Sequence, residues 1–536
     1  MHTLIALFFL ELLRAAFGGA WTAASSYWTP APEQLPLEQE LAPEPPALED
    51  PLLNAVPGAT IFRGGFYSQE PSGGPVGQNV KGSVLGTEES ELPAFLAALQ
   101  ATGVGVLPGE VLSFDPQTNA PKSWGNASAA GAGSTSLPGT RYKLRQYTLV
   151  PPTPFLEPFT LMVPSPLPAS AAPLLVIFHK FGSSNLDVLQ NTDYVRQCAQ
   201  RGWFLVCPLG GSKKHFGSLE SQINTEAVLD WMLANASLRI DRERIYAIGF
   251  SMGGGAALNY AARHRDPAHA IIAAMVNHSG NTDLNHTYYH DAPVGFLFDF
   301  WFGDGSVGSA DAWKMTRSSS LNFDPVTLAI DTASDQVRNL GSTPIRTFQA
   351  SDDLVPYLPQ QNERLDEHMR TNLGRVVGND YSYTVVPYTG HRWDMVDASD
   401  ACDWLGQFTL TTPMTGRTLA DSDGVFEHFF VQQTTAGAFT SFDWAVMAHT
   451  NGLRISATSN LKRLTIDPIA SGLSTAGDLT VHMSGAAELA LASWPHPPSA
   501  VTRDGVPEFG WSYIAPSRDL VLFEADGAPH VWVVTP

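Results

Sequence analysis

The chain has 536 residues, 44% of them apolar, and a formal net charge of -21 at neutral pH. Such acidity argues against a nucleic-acid partner, whose phosphates call for clustered Lys and Arg, and the length calls for two or three domains rather than one core. No stretch beyond the N-terminus approaches the roughly 20 apolar residues of a membrane helix, so no integral membrane segment is expected after it.

Residues 1–24 read as an export signal. An apolar run, Leu4-Ile5-Ala6-Leu7-Phe8-Phe9-Leu10, is followed by the small residues Gly18, Gly19, Ala20, Ala23 and Ala24, although no Lys or Arg precedes the run and Glu11 interrupts it. This places the protein in the periplasm or outside the cell; the alternative is a frayed N-terminal helix in a cytosolic protein. Residues 25–57, rich in Pro and Glu, read as a linker. Residues 58–140 form an extension rich in Gly, Ser and Pro, to which no role is assigned. It contains one expected helix, 90–100, with Ser90 as N-cap before a stripe at Leu92, Phe95, Leu96 and Leu99.

From residue 141 the pattern becomes an alternation of strands and helices. Strands are expected at 142–150, 159–163, 174–178, 203–207, 245–250, 270–276, 344–349 and 381–387, with helices at 185–200, 218–235, 252–264, 359–373 and 396–410. The run at 174–178 is apolar throughout, as in a strand buried on both faces. This alternation predicts an α/β domain over 141–412, a mostly parallel sheet with helices on both faces and a ligand crevice at the carboxyl ends of its strands. Residues 279–342 break the rhythm. They carry Phe296, Phe298, Phe300, Trp301, Phe302 and Trp313, and read either as a lid over the crevice or as a loop with its own small core.

Short strands with Gly, Asn and Asp turns over 415–536 predict a C-terminal all-β domain, a sandwich or small barrel. Its Trp444, Trp494, Trp511 and Trp532 are expected in the core, with an exposed coplanar row as the alternative that would bind a surface. The three cysteines, Cys198, Cys207 and Cys402, allow at most one disulfide. Cys198 and Cys207 are the favoured pair and buried free thiols the alternative.

The segment carrying the chemistry is Ile245-Tyr246-Ala247-Ile248-Gly249-Phe250-Ser251-Met252-Gly253-Gly254-Gly255. A β-branched strand, Gly-x-Ser-x-Gly and a small-residue helix make a nucleophile elbow, which lifts Ser251 into the crevice at a sharp strand-to-helix turn. A serine hydroxyl attacks a carbonyl only when an imidazole takes its proton and an acid orients that imidazole. In this architecture acid and base follow the serine on loops after later strands. His391, in Tyr388-Thr389-Gly390-His391-Arg392-Trp393, is the base. The acid lies in Ala350-Ser351-Asp352-Asp353, where Asp352 is preferred to Asp353. The oxyanion donors expected are the N–H groups of Met252 and of Phe181, the latter in His179-Lys180-Phe181-Gly182-Ser183 after the 174–178 strand. Phe181 and Trp393 are candidate walls of an apolar substrate site, with core packing as the alternative for each.

The His179-Lys180-Phe181-Gly182-Ser183 run, the Asp241-Arg242-Glu243-Arg244-Ile245-Tyr246 lead-in and the Gly249-Phe250-Ser251-Met252-Gly253-Gly254 elbow resemble the α/β-hydrolase serine esterases of the polyhydroxybutyrate depolymerase and feruloyl esterase family. The resemblance covers about residues 141–407. It implies the α/β-hydrolase fold, a secreted serine esterase without metal or organic cofactor, and Ser251, His391 and Asp352 as nucleophile, base and acid. The family usually has His-Gly where this chain has His179-Lys180.

The expected activity is hydrolysis of carboxylic esters by an acyl-enzyme route, with polymeric esters among the candidate substrates. A serine peptidase of the prolyl-oligopeptidase type shares the core but generally carries a propeller, and no four-strand repeat is present in the sequence. A non-catalytic binding protein that keeps the fold is the third reading. His278, His286, His290 and Asp291 are candidate metal ligands by residue type, but with no helical pattern expected there they read as a polar loop.

Overall fold

The apolar run at 174–178 becomes the middle of a sheet covered on both faces. A computed structural model describes residues 141–536 apart from 154, 304–310 and 525, together with three short strands at Ile61–Phe62, Val111–Leu112 and Ser123–Ser128. The expected leader, linker and helix 90–100 lie outside the described residues.

Eight strands succeed one another from residue 141: β1 (Arg141–Leu149), β2 (Glu157–Ser165), β3 (Ala172–Phe178), β4 (Phe204–Pro208), β5 (Ile240–Phe250), β6 (Ala274–His278), β7 (Ile345–Ala350) and β8 (Tyr381–Val386). Their spatial order is β1-β2-β4-β3-β5-β6-β7-β8, and the three short strands extend the β1 side to make eleven. β1 with β2 and β2 with β4 are antiparallel. Every later pair is parallel. β3 shows why both faces are apolar: Leu174 and Val176 enter one core with Tyr260 and Leu258, while Leu175 and Ile177 enter the opposite core with Trp203 and Trp404. The period of two along the strand feeds two layers.

The helices are α1 (Asp187–Asn191), α2 (Tyr194–Arg201), α3 (Leu219–Ala234), α4 (Met252–Arg263), α5 (Leu284–His290), α6 (Ala292–Phe302), α7 (Ala312–Ser318), α8 (Tyr357–Thr371) and α9 (Ala398–Leu405). The single helix expected over 185–200 is two. Thr192 turns its hydroxyl back to Val188 O at 2.7 Å and adopts extended angles. Asp193 then takes the side chains of Arg196 (2.7 Å) and Gln197 (2.9 Å), the competition for local partners that makes Thr and Asp poor helix interiors. The aromatic insertion, expected to be irregular, contains α5, α6 and α7. Asp283 and Asp291 cap α5 and α6 by accepting the N–H groups of His286 (3.1 Å) and Val294 (3.2 Å), a cap signal that the Gly and Ser around them masked. All three cysteines are buried free thiols. The favoured Cys198–Cys207 pairing is not formed, because Cys198 faces Cys402 across α2 and α9, while the Cys207 thiol points to Pro208 O.

Residues 415–536 form a seven-stranded and a six-stranded sheet that share one core containing Phe429, Phe442, Leu464 and Leu522. Trp444, Trp494 and Trp532 are buried in it and Trp511 packs against its edge, so these rings serve packing. The sheets are held to the α/β domain by charge. Asp421, 4% exposed, accepts the guanidiniums of Arg263 at the end of α4 and Arg317 on α7, each at 2.6 Å. Arg265 Nε reaches Glu427 at 2.6 Å, and Asn339 exchanges two hydrogen bonds with the backbone of Leu419. Burial pushes the Asp421 carboxyl up, but Arg263 and Arg317 outweigh it and hold it below the usual carboxylate range. Its contribution to stability is therefore complete at neutral pH and is lost as pH falls through that lowered value. Asp421→Ala leaves the part-buried guanidiniums of Arg263 and Arg317 without their carboxylate and is expected to cost about 3 kcal/mol, read as a lowered midpoint in thermal or urea unfolding at pH 7; a midpoint within error of the native protein contradicts this.

Candidate active site

At the end of β5 the chain reverses into α4 through Ser251, whose φ of 58° and ψ of -122° lie in a region rarely held by a residue with a side chain. The reversal packs backbone against backbone. A Cβ on Gly249 would stand 2.1 Å from Gly253 O, and one on Gly253 would stand 2.1 Å from Phe178 O and 2.5 Å from His179 O. Only glycine fits at either position, which is the physical content of the Gly-x-Ser-x-Gly spacing. The turn is tied down by Ser251 N–H donating to His278 O (2.9 Å) and by Ser251 O accepting from Asn281 N–H (3.0 Å).

His391 follows β8 and lies with its ring centroid 4.5 Å from that of Phe250, the residue before Ser251. Its Nδ1 is 2.9 Å from Asp353 Oδ2. The carboxylate that meets His391 is therefore Asp353 and not the expected Asp352. The Asp353 side chain is fully buried; it accepts from Gln349 Nε2 (2.9 Å) and Val355 N–H (2.9 Å) as well as from His391. Burial raises its pKa, but the His391 contact and these donors outweigh burial and leave it lowered. An ionised Asp353 only accepts, so Nδ1 of His391 carries the proton and Nε2 is left as the basic nitrogen. Asp352 is exposed and accepts Gly390 N–H at 2.8 Å, bracing the His391 loop from outside. Nothing in an Asp-Asp doublet tells the two apart; the selection is made by Gln349, itself buried and oriented by Asn362 Nδ2 (3.0 Å), which in turn accepts from Asn277 Nδ2 (2.8 Å).

The loop after β3 lies against the first turn of α4, as the Gly253 contacts require. Met252 opens α4, where N–H groups have no acceptor within the helix. Phe181 packs with Met252, Phe216, Leu284, Phe298, Phe302 and Met315 in one apolar cluster, so helices of the insertion cover the ground beside the nucleophile. The lysine in place of the family's glycine does not strain the loop: Gly182, at φ 74°, takes the left-handed position, while Lys180 does not. His179 is fully buried, its Nδ1 2.8 Å from Lys180 O and its Nε2 2.9 Å from Leu209 O; its ring braces two loops. Trp393 is 5% exposed and packs among Tyr194, Phe250 and His278. It is a core residue, and the expectation of a substrate wall is corrected. Its indole N–H donates to Asp187 Oδ2 (3.0 Å), which also accepts Lys180 N–H (3.2 Å), so the polar tip of the ring was drawn inward by a buried acid some 200 positions away in the chain.

Helical spacing does bring His286 and His290 together, ring centroids 4.2 Å apart on α5, but His290 is committed to Pro325 O. Among the described residues the grouping with metal-ligand spacing is Glu524, Asp526 and His530 in the C-terminal sheets. There His530 is bonded to Asp504 and Asp526, and Arg503 to Glu524.

Residues 173–374 match the family model of the alpha/beta hydrolase fold, a span that includes Ser251 and Asp353 and ends before His391. The α/β-hydrolase fold expected from the motifs is thus the fold of this region, with β-rich sheets following it. Solved structures similar to the chain include an S-formylglutathione hydrolase from Agrobacterium tumefaciens (15% identity, 52% of this chain and 98% of that chain, TM-score 0.36). They also include a ferulic acid esterase (18% identity, 47% and 93%, TM-score 0.33) and an acylaminoacyl peptidase from Pyrococcus horikoshii (16% identity, 47% and 38%, TM-score 0.34). No curated protein matches the chain.

Asp353→Asn should lower kcat by about 10⁴-fold, as loss of the orienting acid does elsewhere, while Asp352→Asn, which keeps the oxygen facing Gly390, stays near the native rate. Steady-state rates on one soluble ester decide between them, and a reversed order returns the role to Asp352. Gln349→Leu removes one of the donors on the buried carboxylate and is expected to lower kcat/KM about tenfold.

Proposed function

We propose that this protein is a serine esterase that hydrolyses carboxylic esters through an acyl-enzyme, with Ser251 as nucleophile, His391 as base and Asp353 as orienting acid. The observation that carries the reading is the Asp353–His391 pair set against Phe250, beside a serine held at positive φ on an elbow. Ser251 Oγ attacks the ester carbonyl carbon as its proton passes to His391 Nε2. The oxygen that becomes negative is held by the N–H groups of Met252 and Phe181. The C–O bond to the alcohol then breaks, and His391 returns the proton to the leaving oxygen. Water attacks the acyl-serine by the same route, the acid leaves and Ser251 regains its proton.

Polymeric esters belong to the proposed substrate range, and the enzyme is proposed to act outside the cytoplasm. The basis for the second statement is the leader at 1–24; N-terminal sequencing of the exported protein should begin shortly after the small residues at 18–24.

The test is acid release in a pH-stat from a short soluble ester and from an emulsified aliphatic polyester, with native protein and Ser251→Ala. Turnover of the soluble ester should fall by about 10⁴-fold or more in the variant, with the thermal transition nearly unchanged. Serine-dependent release from both substrates supports a depolymerase, and release from the soluble ester alone supports a small-molecule esterase. Release from neither, with cleavage of a blocked peptide, replaces this reading with a peptidase.

A further inference from the structure

The chain has 52 acidic residues and only eight lysines, yet Lys180, Lys213 and Lys214 sit on two adjoining loops around Phe181. The loops are tied by Gly182 N–H donating to Lys213 O at 2.8 Å. Lys214 Nζ lies 5.8 Å from the centroid of the Phe181 ring. The Lys213 ammonium lies near enough to His179 to disfavour a charge there, and burial pushes its own pKa down with no carboxylate offsetting the effect. Among the described residues none of the three forms an ion pair. By contrast Lys314 is 2.9 Å from Asp311, and Arg263 and Arg317 share Asp421.

The nearby acids are already engaged. Asp187 is fully buried on Lys180 N–H, Asn191 and the Trp393 indole. Glu157, its pKa raised by burial to about 7, accepts Gly210 N–H, Gly211 N–H and Asn224. For Lys213, a half-buried ammonium without a counter-charge costs desolvation energy. The loop that carries Lys180 and Phe181 adjoins the nucleophile turn. His179 O abuts Gly253, two residues from Ser251, and Phe181 packs with Met252.

We infer that the substrate of this site carries a free carboxylate a few atoms from the scissile ester, received by Lys180, Lys213 and Lys214. The inference rests on the esterase reading. Against a protein of net charge -21 the attraction acts only at short range, within about 8 Å at physiological ionic strength. Salt would screen both this attraction and the general repulsion of an anion, so charge is varied instead in matched substrates and in the protein.

The experiment compares kcat/KM for two pairs of equal chain length, monomethyl adipate with methyl hexanoate for the acyl side, and 6-acetoxyhexanoate with hexyl acetate for the alcohol side. In one pair the carboxylate-bearing member should be preferred by about tenfold, a size expected of partly desolvated charge pairs. That ratio should fall toward one in Lys213→Met/Lys214→Met and in Lys180→Met, and return in Lys213→Arg/Lys214→Arg. Because the readout is a ratio within each variant, loss of folded protein cancels. Equal kcat/KM within both pairs, or a preference unchanged in the methionine variants, overturns the inference while leaving the esterase standing. Absence of Ser251-dependent turnover on all four esters overturns the esterase reading, and the inference with it.

Discussion

The structure depends on a steric constraint, the reversal of β5 into α4 at Ser251. Two backbone segments approach so closely that Gly249 and Gly253 cannot bear a Cβ, and the residue between them is held at positive φ. Strain of this kind persists only where the surroundings over-determine it. Here they do so through the parallel neighbours of β5, the hydrogen bond from Ser251 N–H to His278 O and the buried helix α4. The same close approach presses the loop after β3 against the start of α4, so one contact sets both the nucleophile and the region of the proposed oxyanion donors.

Around this turn the protein buries a considerable amount of polar matter. Asn277, Asn362 and Gln349 form a chain of side-chain amides, all essentially inaccessible to solvent. The chain starts beside Gly254, near the nucleophile, and ends on the Asp353 carboxylate. Buried amides cost free energy unless each finds partners, and when satisfied they specify a single arrangement. Asp187 does the same on the other side, joining the loop after β3 to the loop that carries His391. Asp353, His391 and Ser251 are thus related through buried side chains.

The insertion and the C-terminal sheets belong to this arrangement as well. Asp421 grips α4 and α7 at once, and Trp313 of the insertion packs on Phe439 at 4.7 Å. The β domain therefore braces the segment whose Phe298 and Phe302 cover Met252, which gives it a part in shaping the site.

Local rules determined much of this in the sequence alone. Strand and helix alternation predicted the sheet, because a strand buried on both faces must be apolar throughout. Gly-x-Ser-x-Gly marked Ser251 because the turn forbids side chains, and chain order marked His391. The same rules read helix 185–200 as continuous and the insertion as irregular, since Thr192, Asp193, Asp283 and Asp291 act through side-chain hydrogen bonds that periodicity does not register. Tertiary structure alone decided that Asp353 and not Asp352 meets His391, that Trp393 turns inward to Asp187, and that the loop of Lys180 is tied to the loop of Lys213 and Lys214. Each of these depends on partners brought together from distant strands, and pairing through space leaves no spacing along the chain to read.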